Sequence, residues 1–232
     1  MSEVLKKLAG IRHLPIFPLP LVMLPHELLP LHIFEDRYKQ MIADIDAEGR
    51  VFAIVLFEPV DPFIEKPPIG TVACIAEIKE SEKLPDGRSN ILAFGLVRCR
   101  IVDYIDAGEP YLVAAIEAFE DEEESSESLE HLADSVFHRF ERMAKAAFKL
   151  SGSRGQFPEI QRTDPESLSF LVTAAFNFEN EKKYQFLYTT STLKRLSDLS
   201  EIVDRVVDQM EESAEIHSIS RSNGHSKKKI DI

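Results

Sequence analysis

Few stretches of this 232-residue chain set reactive residue types at spacings that chemistry needs. His26-Glu27-Leu28-Leu29 begins like H-E-x-x-H, which grips zinc through histidines at i and i+4 of a helix. Position 30 is Pro30, and Pro25 and Pro30 bracket the segment against helix. Both the second ligand and its scaffold are missing, so the expectation is a turn between two short strands. Ser191-Thr192-Leu193-Lys194 matches S-x-x-K, but the S-D-N and K-T-G partners of that pattern do not occur. Ser191 reads as the start of a helix. Cys74 and Cys99 fall on the apolar parity of their segments and read as buried thiols. His131 and His138 are seven apart on one helix, a poor ligand set. Gly152-Ser153-Arg154-Gly155 lacks the Lys-Ser/Thr of a phosphate loop, and neither G-x-G-x-x-G nor G-x-S-x-G occurs. No cofactor or metal is expected. Arg88, Arg98 and Arg100 are read on one sheet face, either as an anion patch or, the plainer reading, as a solvated surface.

The totals bound the partners. The formal net charge is −13, yet residues 117–130 (EAFEDEEESSESLE) carry eight of the acids and no Lys or Arg. Such a block reads as a solvated segment. An acidic surface disfavours nucleic acid, whose phosphates need clustered Lys and Arg, and anionic membranes. Two cysteines make no disulfide framework. No signal peptide and no long apolar run is visible, so a soluble cytoplasmic protein is expected.

The elements that would position any site follow from periodicity. In LPIFPLPLVMLPHELLPLHIFE (14–35), Pro15, Pro18, Pro20, Pro25 and Pro30 are expected to break the chain into short extended pieces. The apolar content is too high for a solvated linker, and the stretch reads as a packed wall of a core. A helix is expected from Phe34, Tyr38, Met41, Ile42 and Ile45, stopped by Gly49. Residues 51–57 read as a buried strand and residues 58–70 as a proline-rich loop. Alternation over 71–80 and 91–105 predicts a hairpin about Asp86-Gly87, with Gly95 marking a bulge or bend. Residues 111–119 read as the last strand. Helical periodicity then takes over from Leu129, with Thr163 to Glu166 as a capping box. The expected organisation is a barrel domain with one helix at 11–119, an acidic linker at 120–128, a helical bundle at 129–212 and a disordered tail at 213–232.

The opening stretch also resembles a known family. Leu14, Pro15, Phe17, Pro18, Leu19 and Pro20, then Pro25, then Pro30 to Glu35 with Arg37 and Tyr38 are similar to the start of the Lon protease N-terminal domain. They resemble above all the stand-alone bacterial proteins made of that domain alone. IGTVACIAEI, KLPDGRSNILAFGLVRCRI and PYLVAAIEAFED look like its later segments, bringing Gly70, Gly87, Gly95 and Arg98 into the signature. The likeness spans about residues 11–212. It implies an α+β fold, a PUA-like β pseudobarrel followed by a C-terminal helical bundle.

The resemblance also implies a substrate-recognition role. The ATPase phosphate loop and Ser-Lys dyad of complete Lon proteases have no counterpart here, so no enzyme activity is expected. The function expected is a protein-interaction module that binds unfolded or flexible polypeptide, or a proteolysis adaptor. Its partners would be protein or peptide clients and proteolytic machinery, with Leu28, Leu29 and Phe63 as candidate contacts on proline-forced loops. The alternatives are a PUA-like nucleic-acid binder and an unrecognised hydrolase.

Overall fold

A computed structural model describes residues 3–8, 10–47, 49–58, 66–151 and 156–223. The chain forms two compact units: residues 1–123 with 170–191, and residues 124–169 with 192–232. The first is built on six strands, β1 (His13–Leu19), β2 (Leu28–Ile33), β3 (Val51–Leu56), β4 (Val72–Lys83), β5 (Ser89–Ile105) and β6 (Leu112–Phe119). It also holds helices α1 (Glu3–Leu8), α2 (Asp36–Ala47) and α5 (Asn180–Tyr188). The strand order is β2-β5-β4-β3-β1-β6, and β6 pairs back onto β5. Five strands thus close into a barrel, with β2 added on one flank of β5.

β1 runs unbroken through Pro15 and Pro18, where fragments were expected. Main-chain parity explains this. Ile116 N–H donates to Arg12 O (3.1 Å), so the main chain of alternate residues Leu14 and Ile16 faces β6 and that of Pro15 faces β3. The β3 ladder begins only at Ile16. Phe57 N–H donates to Leu19 O (2.9 Å), so Pro18 faces the other side, beyond the last β6 pair at Ile16. Each proline places its missing donor where no ladder partner stands.

β5 is long enough to serve two neighbours. Its first half pairs with β2 and its second half with β6, while β4 runs along its opposite flank. Between them the register slips, with Ile75 opposite Val97 and Ala76 opposite Gly95. This bulge swaps the faces of the strand. Ile91 and Ala93 join the core under α2, whereas Val97, Cys99 and Ile101 join the core that also holds Leu8 of α1. The bend expected at Gly95 is present.

The proline-rich opening packs as a wall: Leu14, Ile16, Phe17, Val22, Met23, Leu24 and Ile33 are buried. Leu21–Leu24 is not a strand. It leads into a turn in which Glu27 N–H donates to Leu24 O (3.2 Å), with His26 in the left-handed region (φ 66°). Pro25 and His26 occupy the two central positions, the arrangement of a type II turn. The Glu27 carboxylate closes it further by accepting from Leu24 N–H (2.9 Å).

The second unit contains α3 (Ser126–Leu150), the first residues of α4 (Pro165–Ala175) and α6 (Thr192–Asn223). Ala133, Val136, Met143 and Ala146 of α3 are buried, as are Leu196, Leu199, Val203 and Val207 of α6. Arg139 bridges from α3 to Asp204 (2.7 Å) and Arg142 to Glu211 (2.6 Å). The cap of α4 is Asp164, which accepts from Ser167 N–H (3.0 Å), and not Thr163. α6 extends to Asn223, so residues 213–223 are helical where a disordered tail was expected. No proline or glycine interrupts them before Gly224. The expected bundle is also divided, because residues 170–191, α5 included, belong with the barrel.

Candidate functional site

The first unit presents an exposed apolar ridge beside a groove. Strand periodicity creates the ridge. Along β2 the side chains of Leu28, Pro30 and His32 turn outward, and those of Leu29, Leu31 and Ile33 turn inward. Leu28 is 55% exposed, and Phe34, which continues the outward series, is 59% exposed. His32 and Phe34 stack at 6.2 Å between ring centroids. Nδ1–H of His32 donates to Asn90 Oδ1 (2.8 Å), and Arg88 Nη1 approaches His32 Nε2 at 3.4 Å. These contacts hold the imidazole as an edge to the ridge.

The groove encloses about 250 Å³ and is bordered by Phe17–Pro20 on one side and Leu31–Phe34 on the other. Tyr38 lies at its base, 4.3 Å from the Phe17 ring centroid. Burial raises the Tyr38 pKa; the nearby Arg37 charge acts against that and Glu35 adds to it. The phenol is therefore neutral at physiological pH. Arg37 caps the ring at 4.6 Å and pairs with Glu35 at 2.7 Å. Among the described residues lining the groove, the cation Arg37 and the carboxylate Glu35 thus neutralise each other.

The candidates named from sequence separate here. Leu28 is on the ridge. Leu29 is not available on that surface, because the two residues open a strand instead of lying in a loop, and successive strand side chains face opposite ways. Leu29 packs on the core. Phe63 lies outside the described residues. Helical spacing counts Phe34 into the apolar stripe of a helix, but it precedes α2 and points to solvent. The signal that finds it is the i, i+2 series 28, 30, 32, 34.

The remaining signature residues shape the scaffold. Pro25 is buried in the turn. Gly70 and Gly87 adopt φ of 89° and 83°. Strand parity alone puts Arg98 on a solvated or anion-binding face, yet it is 1% exposed. It forms an ion pair with Asp121 and donates to the carbonyls of Leu187 (3.2 Å) and Thr189 (2.8 Å). Its guanidinium also lies over the rings of Phe119 (4.7 Å) and Phe170 (5.3 Å). The outer face of β5 carries Arg98, as its parity requires, but the segment 170–191 covers that face. Arg100 donates to Gly70 O (3.0 Å), and Arg88 pairs with Asp86 (2.6 Å). The three arginines do not form an anion patch.

Chemistry by the cysteines is disfavoured by their surroundings. Both are free and buried. Burial pushes the Cys99 thiol up to about 12 and raises that of Cys74 well above its ordinary value. The reactive thiolate is thereby suppressed. Among the described residues no three His, Cys, Asp or Glu side chains gather as a metal site. Among them also, no helix is long and apolar enough to cross a membrane.

Comparison with known proteins gives a consistent kinship. Residues 13–205 match the family described as ATP-dependent protease La (LON) substrate-binding domain. The chain is 27% identical over 220 residues to a Lon protease of Heliobacterium modesticaldum, covering 91% of this chain and 26% of that protein. It is 26% identical to Lon protease 2 of Herpetosiphon aurantiacus, covering 85% of this chain and 24% of the relative. The chain therefore spans about a quarter of the length of these curated relatives. The crystal structure of a Lon N-terminal domain protein from Xanthomonas campestris superposes with a TM-score of 0.58 at 19% identity, covering 82% of this chain and 97% of the other. The N-terminal domain of a Mycobacterium avium complex Lon protease gives 0.59 at 18% identity, covering 83% and 98%. Both structures share the α+β fold.

Proposed function

Since the chain belongs to the ATP-dependent protease La (LON) substrate-binding domain family, we propose that it holds unfolded or flexible polypeptide, delivering it as an adaptor and performing no hydrolysis itself. The observation that carries this reading is the ridge of Leu28, Pro30, His32 and Phe34 beside the Phe17–Tyr38 groove. Large apolar side chains left exposed side by side mark contact surfaces. Here they are mounted on a strand whose inward residues lock it to the core. The groove carries no net charge from its Glu35–Arg37 pair, which suits apolar segments of varied sequence. Leu29 and Leu31 support the ridge from beneath. The partners in this reading are protein and peptide clients and the proteolytic machinery that would receive them.

Leu28→Asp combined with Phe34→Asp should weaken binding of labelled apolar peptides by about 10-fold or more, since each side chain would bury roughly 1–2 kcal/mol of apolar surface. Both side chains are more than half exposed, so the melting temperature should stay within about 2 °C of wild type. Fluorescence anisotropy and a thermal melt check the two halves. Equal affinity of the variant and the parent would remove the ridge from the site. No saturable binding up to millimolar peptide would contradict the function.

A further inference from the structure

We propose that the open edge of β2 takes a client segment as an added strand, through main-chain hydrogen bonds; this mode of recognition rests on the polypeptide-binding reading above. The parity of the β2–β5 ladder assigns the edge. His26 N–H donates to Gly95 O (2.8 Å) and Gly95 N–H donates to Glu27 O (2.9 Å). With His26 at positive φ, this is a bulge in which His26 and Glu27 together oppose Gly95. Alternation from the Glu27–Gly95 pair then turns the main chain of Leu29, Leu31 and Ile33 toward β5. That of Leu28, Pro30 and His32 turns the other way. β2 ends the sheet order, and among the described residues no strand pairs with that side.

The edge is unequal in donors and acceptors. Leu28 and His32 each carry one N–H and one C=O, whereas Pro30 carries C=O alone. Across the groove, Pro18 adds another carbonyl facing away from β3 and no donor, as its register requires. Four carbonyls thus stand against two N–H groups. Oxygens carry the negative end of the peptide dipole, so the two rims are complementary to a strand that brings a full set of N–H groups. The chain itself has a formal net charge of −13, which favours neutral or basic flanks on the occupant. The missing donor at Pro30 also disfavours pairing of β2 with a second copy of itself, a known use of edge prolines. The occupant is therefore an extended, proline-free, neutral-to-basic segment with alternating apolar residues, of the kind a client exposes when unfolded.

The test uses the full chain and a short labelled peptide of alternating apolar residues with Lys flanks. Two derivatives carry backbone N-methyl groups at alternate positions, one on each parity. An added strand turns only one parity of N–H groups toward β2. The derivative methylated on that parity should therefore lose about 10-fold or more in affinity, while the other, which faces the single Pro18 carbonyl, should lose several-fold less. His32→Pro, which removes an edge N–H, should weaken the parent peptide similarly. Glu flanks should bind more weakly than Lys flanks at low salt. Equal affinity of both methylated derivatives with the parent would overturn strand addition and leave side-chain binding intact. Absence of binding by any peptide would overturn the polypeptide reading along with it. Dimerisation of the chain that the peptide displaces, seen by sedimentation, would show that a second copy occupies the edge and would overturn the assignment.

Discussion

Arg98→Ala is expected to lower the unfolding free energy of the barrel unit by about 3–5 kcal/mol, the usual consequence of removing one member of a buried ion pair. The reason is where the guanidinium sits. β5 supplies it, Asp121 and the carbonyls at the end of α5 surround it, and the Phe119 and Phe170 rings enclose it. Truncation leaves the Asp121 carboxylate, itself 6% exposed, without its buried cation. It also removes two main-chain hydrogen bonds that tie residues 187–189 to the barrel. A stability margin of about 5–15 kcal/mol is typical of whole domains, so the loss would be visible at moderate urea. Arg98→Lys should recover only part of it, because an ammonium has no planar fork to reach two carbonyls and a carboxylate while lying over two rings. Urea titration followed by circular dichroism measures both variants. A change below about 1 kcal/mol for Arg98→Ala would show that the cluster is not what anchors residues 170–191.

Gly95→Ala is expected to cost about 3 kcal/mol or to prevent folding, at the upper end of what overpacking produces. An added Cβ at this position would stand 2.2 Å from Leu24 O and 3.1 Å from Cys74 Sγ. The nearer obstacle is main chain within a hydrogen-bonded turn and has no flexible end to yield. The same residue exchanges hydrogen bonds with His26 and Glu27, so any retreat of β5 loosens the start of β2 and the seat of Leu28. Gly87 is the internal control. Its φ of 83° disfavours a side chain, but a Cβ there meets nothing within 4 Å. Gly87→Ala should therefore cost only about 1 kcal/mol, the ordinary left-handed penalty. Equal stability of the two variants in urea would show that close approach does not decide the position.

These two residues also mark the limit of what the sequence discloses. Gly95 announced itself, because a glycine inside an alternating strand signals a bend. Alternation likewise placed Cys74 and Cys99 inside. Arg98 was assigned to the outer face correctly and to solvent wrongly. Parity is a local property, whereas the cover comes from Leu187, Thr189 and Phe170, far along the chain. The rule about missing donors makes Pro15 and Pro18 strand breakers. The rule spares β1 because its two ladders overlap only at Ile16, and a split register is invisible before partners are known. At Leu28 and Leu29 the flanking prolines suggested a loop, yet Pro30 sits on the unpaired side of an edge strand. The outward series 28, 30, 32, 34 was legible once that strand was recognised.

The most direct test of the account is a nitrogen-15 correlation NMR titration of the chain with an unlabelled, unfolded apolar peptide. If the chain works by holding polypeptide on β2, saturable shifts should concentrate at Leu28–Tyr38 and at Phe17 and Leu19, with the Phe34 amide among the largest. Shifts confined to α3 and α6, or spectra unchanged at millimolar peptide, would contradict it.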